Sequence, residues 1–291
     1  MARPHRPSAE LPQHLLRLYE RFPFDRSFAE DPLSEVRRLG RDGRSAELVG
    51  LYAATLALGN TAAIRSSIRS LVDRADGDLP ALVRDGTRRD RARAWAGFRH
   101  RWIRGDQMAY LGDRLATLAA SYDSLEPLFL EGFERAGFAG GIDALVRELR
   151  GPTRGAPRGY ATLFASPLAA SRSPAKRLTL YLRWMVRPSV PDFGLWRRVP
   201  TGELRIPLDQ HVHWIAYHLG LTSRRSRTWT TVEEVTEALR RIDPIDPARF
   251  DFVLCHTGIS GDCPKERDLT ICGPCAVRPD CLLWRRPPRA S

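Results

Sequence analysis

The sequence predicts an all-α fold. Three observations carry that expectation. Apolar residues recur at helical spacing in segment after segment, and aspartate, threonine and proline stand where helices begin. No run alternates apolar and polar residues for long enough to build a sheet. With 291 residues, 43% of them hydrophobic, the chain has enough material for one large core or two lobes. There is no internal repeat.

The elements follow in order. Residues 1–30 are polar and proline-bearing, with one amphipathic stretch, Leu11, Leu15, Leu16, Leu18 and Tyr19, that predicts a short helix. Asp31-Pro32 starts another, with proline at the first helical position, where its missing N–H costs nothing. The run Ala46–Leu58 is apolar nearly all round and predicts a buried helix. Gly59-Asn60 breaks it, and Thr61 is expected to cap the next helix, with Ile64, Ile68 and Leu71 on one face. Helical patterns continue over 106–122, 126–136 and 141–150, and a loop rich in glycine and proline runs from Gly151 to Gly159. Pro174 opens the apolar helix Leu178–Val186, Pro188 stops it, and 188–206 is irregular. Pro207-Leu208-Asp209 opens a helix with Val212, Ile215, Ala216 and Leu219 on one face. Thr230-Thr231-Val232-Glu233-Glu234 carries two overlapping capping boxes. Pro247 opens a last helix through Phe250, Phe252, Val253 and Leu254.

Charge narrows the function classes. The chain has 46 basic against 34 acidic residues, a net of +12, which excludes an acidic disordered regulator and favours a polyanionic partner. No stretch approaches the roughly 20 apolar residues of a membrane span. Met1–Pro7 lacks the apolar core of a signal peptide, so a cytoplasmic protein without membrane contact is expected. All but two of the basic residues are arginines; the exceptions are Lys176 and Lys265. An amine can lose a proton and attack carbon, and a guanidinium cannot, so both lysines are candidates for chemistry. Residues 84–104 hold eight arginines and two aspartates, with Trp95, Phe98 and Trp102 between them. That segment is either a solvated face with its aromatics inward or a surface for phosphates.

The five cysteines all lie between Cys255 and Cys281. Cys263, Cys272, Cys275 and Cys281 are spaced C-x8-C-x2-C-x5-C. One tight pair with two looser arms suits a 4Fe-4S cluster better than structural zinc, which usually takes two tight pairs. Cys255, in the apolar run Phe252-Val253-Leu254, is expected to be a small buried hydrophobe.

Three motifs in order resemble the helix-hairpin-helix (HhH-GPD) DNA glycosylase superfamily, of which endonuclease III is the familiar member. They are Ser173-Pro174-Ala175-Lys176-Arg177-Leu178, Pro207-Leu208-Asp209-Gln210-His211-Val212, and Cys255-His256-Thr257-Gly258 followed by the four cysteines. Lys176–Pro188, Phe193–Trp196, Ile206–Asp209 and Phe98–Trp102 are more closely similar to a bacterial family known as a domain of unknown function within that superfamily. The resemblance implies a two-lobed, all-α glycosylase fold with a C-terminal iron-sulfur cluster loop. One lobe would be a helical barrel over 44–187. The other would combine 1–43 with 188–291 and carry the cluster motif at 263–281. DNA would lie in the cleft between them.

The implied activity is base excision from duplex DNA with associated AP-lyase chemistry, by a nucleoid-associated monomer. The damaged base must rotate out of the duplex to be reached. As its bond to C1′ lengthens, positive charge grows on the sugar, and the Asp209 carboxylate would stabilise it. The Lys176 amine would attack C1′ and form a Schiff base. Arg172, Arg177 and Arg183 are near Lys176 in sequence and would favour its neutral form. By position, Gly59 and Asn60 match the loop that fills the vacated space. Arg172, Ser173, Arg177 and His211 are expected phosphate contacts. His213 and His218 are expected to pack, and Trp184, Trp196 and Trp214 either pack or line a base pocket.

The chain departs from the superfamily in three places. The hairpin glycines that hold a phosphate are replaced by Ser171-Arg172-Ser173-Pro174-Ala175. Lys176 and Asp209 are 33 positions apart, a long separation like that of archaeal 8-oxoguanine glycosylases, which hints at oxidised purines. The loop Pro264–Ile271 carries equal numbers of basic and acidic residues, where endonuclease III is strongly basic. Two alternatives stand beside the enzyme. One is a DNA-binding or damage-sensing protein that does no chemistry, in which Asp209 only caps its helix. The other is an enzyme acting on RNA or on an unusual modified base.

Overall fold

The computed structural model of the chain describes residues 7–40 and 42–285. The start of the chain, where a signal peptide would stand, lies outside the described residues. The described chain is mostly helical. In chain order the helices are α1 (Leu11–Glu20), α2 (Phe24–Glu30), α3 (Pro32–Leu39), α4 (Gly43–Thr55), α5 (Thr61–Asp73), α6 (Leu79–Arg84), α7 (Arg88–Ala94), α8 (Gly105–Ala119), α9 (Glu126–Arg150), α10 (Lys176–Val186), α11 (Gln210–His218), α12 (Trp229–Arg240), α13 (Phe250–Ile259), α14 (Leu269–Cys272) and α15 (Leu282–Arg285). An antiparallel hairpin, β1 (Arg99–His100) and β2 (Ile103–Arg104), is the one sheet among the described residues, and the sequence reading missed it. Among the described residues no helix is long and apolar enough to cross a membrane.

Most helix starts follow their sequence signals, with differences at α5, α10 and α12. Asp31 caps α3, accepting from the Leu33 amide at 2.8 Å. Asn60, not Thr61, caps α5, because its carbonyl oxygen accepts from the Ala63 amide at 2.8 Å. The helix expected to open at Pro174 begins at Lys176. α12 begins at Trp229, and the Thr231 hydroxyl turns back to the Ser226 carbonyl at 2.7 Å instead of closing a box. The two helices read over 126–150 are one element, broken at Ala136-Gly137, where Gly137 takes φ +62°.

The chain divides into two compact units. The larger comprises residues 25–171 and 177–200. Its core is built on α4, whose Val49, Leu51, Tyr52, Ala53 and Ala54 are buried, as the all-round apolar run predicts. Trp95 is fully buried against Tyr52, and its indole N–H donates to the Leu71 carbonyl at 3.0 Å. The irregular segment after α10 is bound to this unit through its backbone. The Phe193 and Trp196 amides donate to the Trp184 and Met185 carbonyls at 2.8 Å each. Asp192 is buried between Arg183 and Arg187, and Arg37 donates to the Pro191 and Asp192 carbonyls. These bonds, with the packing of α3 on α4 and α5, draw 25–43 and 188–200 into the larger unit, outside the 44–187 limits expected from sequence. Glu47 accepts from Ser124, the Leu125 amide and the Trp196 indole, and burial nonetheless pushes its carboxyl up.

Of the described residues, the smaller unit comprises 7–24, 172–176 and 201–285. Leu11 and Leu15 of α1, Val212, Ile215, Ala216 and Leu219 around α11, Val232, Val235 and Leu239 of α12, and Phe250 and Leu254 of α13 form its core. Each large apolar side chain here contributes roughly 1.5–3 kcal/mol by leaving water. The Asp280 carboxylate ties α1 to the cysteine segment by accepting from the Ser8 amide at 3.2 Å and bonding His14 Nδ1 at 2.6 Å.

Candidate active site and thiol cluster

Asp209 is the N-cap of α11. Its Oδ1 accepts from the His211 and Val212 amides at 2.8 Å each, and Cys255 Sγ donates to Oδ2 at 3.4 Å. The carboxylate is half-buried, so it is held in orientation yet keeps access to solvent. Cys255 is therefore more than a buried hydrophobe. It sits on α13, which packs on α11, and one turn of that helix brings its sulfur to the aspartate. Gly258 permits the close approach: a Cβ there would lie 2.6–2.9 Å from His211 side-chain atoms. His211 is half-buried, with Nε2 3.2 Å from the Gln210 side-chain nitrogen. His213 and His218 bond the Arg224 and Trp214 carbonyls at 2.9 and 2.8 Å and serve packing.

Lys176 is the first residue of α10 and is half-buried. The preceding loop turns without glycine: Arg172 and Ala175 take φ of +45° and +47°, a left-handed conformation that glycine adopts at no steric cost. Ser173 Oγ accepts from the Ala175 amide at 3.2 Å, and the Arg172 carbonyl accepts from the Trp229 amide at 2.8 Å. Residues 172–176 thereby belong to the smaller unit, the one that holds Asp209. The arginines read as neighbours of Lys176 divide. Arg183 is buried on Asp192, while Arg177 donates to the Leu163 carbonyl at 2.9 Å and lies over the Trp102 ring. The other lysine, Lys265, rests with Nζ 4.4 Å from the centre of the Trp214 ring. Trp184 and Trp196 are core residues.

Cys263, Cys272, Cys275 and Cys281 line one small cavity of about 30 Å³, walled by Ile215, Leu219, Val277, Leu283 and Trp284. Burial, with the mutual influence of Cys281, Cys275 and Cys272, pushes the Cys263 thiol up to about 12. Burial also raises Cys275 and Cys281. Asp268 caps the short α14, and the Cys272 and Cys275 amides continue the turn onto the Asp268 and Cys272 carbonyls. As the side chains stand, no three His, Cys, Asp or Glu groups among the described residues are grouped to hold a metal ion. The donor set itself, four cysteines lining one cavity, is of the kind that takes iron or zinc.

Gly59 and Asn60 lie in the larger unit at the turn between α4 and α5. Gly59 takes φ +107°, and a Cβ there would stand 3.0 Å from the Arg101 guanidinium. The family described as "Protein of unknown function (DUF2400)" matches residues 31–260. The chain belongs to this family. Neither the curated proteins nor the solved structures contain a match. In this DUF2400 chain the matched region holds Gly59, Asn60, Lys176 and Asp209, and it ends before the first of the four clustered thiols.

Proposed function

We propose that the chain is a base-excision DNA glycosylase with associated AP-lyase activity, built on an HhH-GPD fold and acting on duplex DNA with a damaged base. The observation that carries it is the Asp209 carboxylate. It is fixed by two amides and a thiol, half-open to solvent, and held in the same unit as the start of α10 and the four thiols. A cap alone needs one carboxylate oxygen; here the second accepts from a thiol and keeps further lone-pair capacity for a substrate.

Asp209 stabilises the positive charge that grows on the sugar as the C1′–N bond breaks and the base leaves with the bonding pair. The Lys176 amine bonds to C1′ and gives up a proton. Ring opening yields the Schiff base, and loss of a C2′ proton then expels the 3′ phosphate. Cys255 keeps Oδ2 in place. Cys263, Cys272, Cys275 and Cys281 would hold a 4Fe-4S cluster, or zinc as the alternative. Such a group supplies a structural clamp that orients segment 263–281.

A borohydride trap tests this function. The protein is incubated with reductant and duplexes carrying an abasic site, 8-oxoguanine, an oxidised pyrimidine or uracil. A covalent adduct that Lys176→Gln abolishes is expected, and the duplex that traps best identifies the lesion class. One observation favours the non-catalytic reading: Pro174 offers no N–H where a superfamily hairpin grips phosphate. Duplex binding with neither an adduct nor base release would establish that reading and overturn the enzyme.

A further inference from the structure

The β1–β2 hairpin places an aromatic ring in solvent on a rigid, cationic support. His100 and Ile103 pair across it and are both buried, so the turn consists of Arg101 and Trp102 alone. The base of the hairpin is fixed. Ser67 and the Leu58 carbonyl hold the two ring nitrogens of His100 at 2.8 and 3.0 Å, and the Gly105 amide donates to the Phe98 carbonyl at 2.8 Å. Trp102 nevertheless remains 44% exposed, and it is the one aromatic among the exposed large hydrophobic side chains of the described residues. Arg101 takes φ +54°, a conformation glycine or asparagine would adopt with less strain.

The surroundings of the ring are cationic. The Arg177 guanidinium carbon lies 5.4 Å from the ring centre, and its bond to the Leu163 carbonyl holds it there. Arg99 and Arg101 are exposed, and the Arg101 side chain reaches back against Gly59, next to Asn60. Part of the indole packs under Arg177, and the rest stays in solvent on a hairpin already anchored by its neighbours. An aromatic face beside guanidinium groups suits a flat, unpaired ring on a polyanionic backbone.

We infer that Trp102, with Arg177 and Arg101, is a stacking platform for an unpaired nucleobase. The indole takes the base face, and the guanidinium groups take the flanking phosphates. The inference rests on the nucleic-acid function proposed above and adds a binding residue to it. It assigns Trp102 no chemistry.

The test uses the full-length protein and a duplex carrying 5-iodouracil opposite a one-nucleotide gap. Irradiation couples the iodinated base to an aromatic side chain stacked on it, and the cross-linked peptide is then sequenced. The cross-link is expected at Trp102 and should be weaker on the same duplex without the gap. Trp102→Ala should lower affinity for the gapped duplex about 5- to 150-fold, the usual range for one lost stacking contact. Trp102→Phe, which keeps a ring face, should retain most of the affinity. A cross-link on another residue of a protein that binds the gapped duplex overturns the platform and leaves the glycosylase proposal standing. A protein that binds no duplex overturns both. Because the cross-link is mapped on the unaltered chain, a misfolded variant does not decide the outcome.

Discussion

Asp209 caps α11, and under the proposed function it would also stabilise charge on the sugar; Asp209→Asn divides the two. An asparagine at this position keeps the oxygen that accepts from the His211 and Val212 amides, since Asn caps a helix about as well as Asp. It removes the negative charge and turns an NH2 group toward Cys255 Sγ, a contact now made at 3.4 Å. Stability should change by only a few tenths of a kcal/mol on a cap-for-cap exchange. Base release should slow by about 10²–10³-fold, the typical effect of removing one group that meets transition-state charge, or about 2.7–4 kcal/mol. Asp209→Ala removes both duties and should in addition destabilise the chain by about 1 kcal/mol. The assay pairs a urea titration with single-turnover base release from the duplex that traps best. An Asp209→Asn protein at full rate would refute the charge-stabilising role. A loss of stability for Asn equal to that for Ala would refute the cap.

Three further outcomes follow from other parts of the structure. Glu35 is buried on α3 and accepts from Arg38, Arg65 and Arg69. Burial opposes its charge, but the three arginines prevail and hold its carboxyl below the ordinary value of 4.5. Its stabilising contribution is thus fully present above that value and is lost as pH falls through the lowered one. Glu35→Gln should cost roughly 1.5–3 kcal/mol at pH 7, the range for hydrogen bonds to charged groups. The gap between wild type and variant in urea midpoints should persist below pH 4.5 and narrow only in stronger acid; a gap that already closes above pH 4.5 would contradict the ion cluster. Gly105→Ala would place a Cβ 1.7 Å from the Trp95 carbonyl oxygen, so the start of α8 or the turn beneath the hairpin must move. A loss of roughly 1–3 kcal/mol is expected, and a neutral melt would contradict the packing. Cys275→Ser should remove bound iron and sulfide, read by metal analysis and absorbance near 400 nm; iron content equal to wild type would exclude this cysteine as a ligand.

Helix placement was legible because it depends on local rules. Periodicity, proline and aspartate located α3, α4 and α11 within a few residues. Lys176 and the four cysteines stand out as residue types in an arginine-rich chain whose cysteines lie near one end, whereas Asp209 is singled out only by the resemblance of its motif. Cys255 was not legible as a partner of Asp209. It lies 46 positions away, and only the packing of α13 on α11 joins them. Glu35 and Glu47 carried no signal of burial either, because apart from the nearby Arg38 their arginine, indole and amide partners come from distant segments.

The arginine-rich segment shows why formal charge overstates a nucleic-acid surface. In sequence, 84–104 reads as one cationic block. In the structure, Arg91 is buried, donating to the Val83 and Gly86 carbonyls and pairing with Asp113. Arg88 pairs with Asp113 as well, and Arg84 pairs with Asp85. Arg91 ties α7 to α6 and α8, while the Arg84–Asp85 pair joins sequence neighbours at the surface. Arg99 and Arg101 face solvent on the hairpin beside Trp102; Arg84, Arg88, Arg89 and Arg93 are also exposed, but on α6 and α7. The division predicts a difference in salt dependence. Arg101→Ala should lower the slope of log affinity against log salt by about 1, the signature of one lost phosphate contact. Arg84→Ala should leave that slope unchanged. If both variants changed the slope equally, binding would follow net charge, and the hairpin would hold no special place in it.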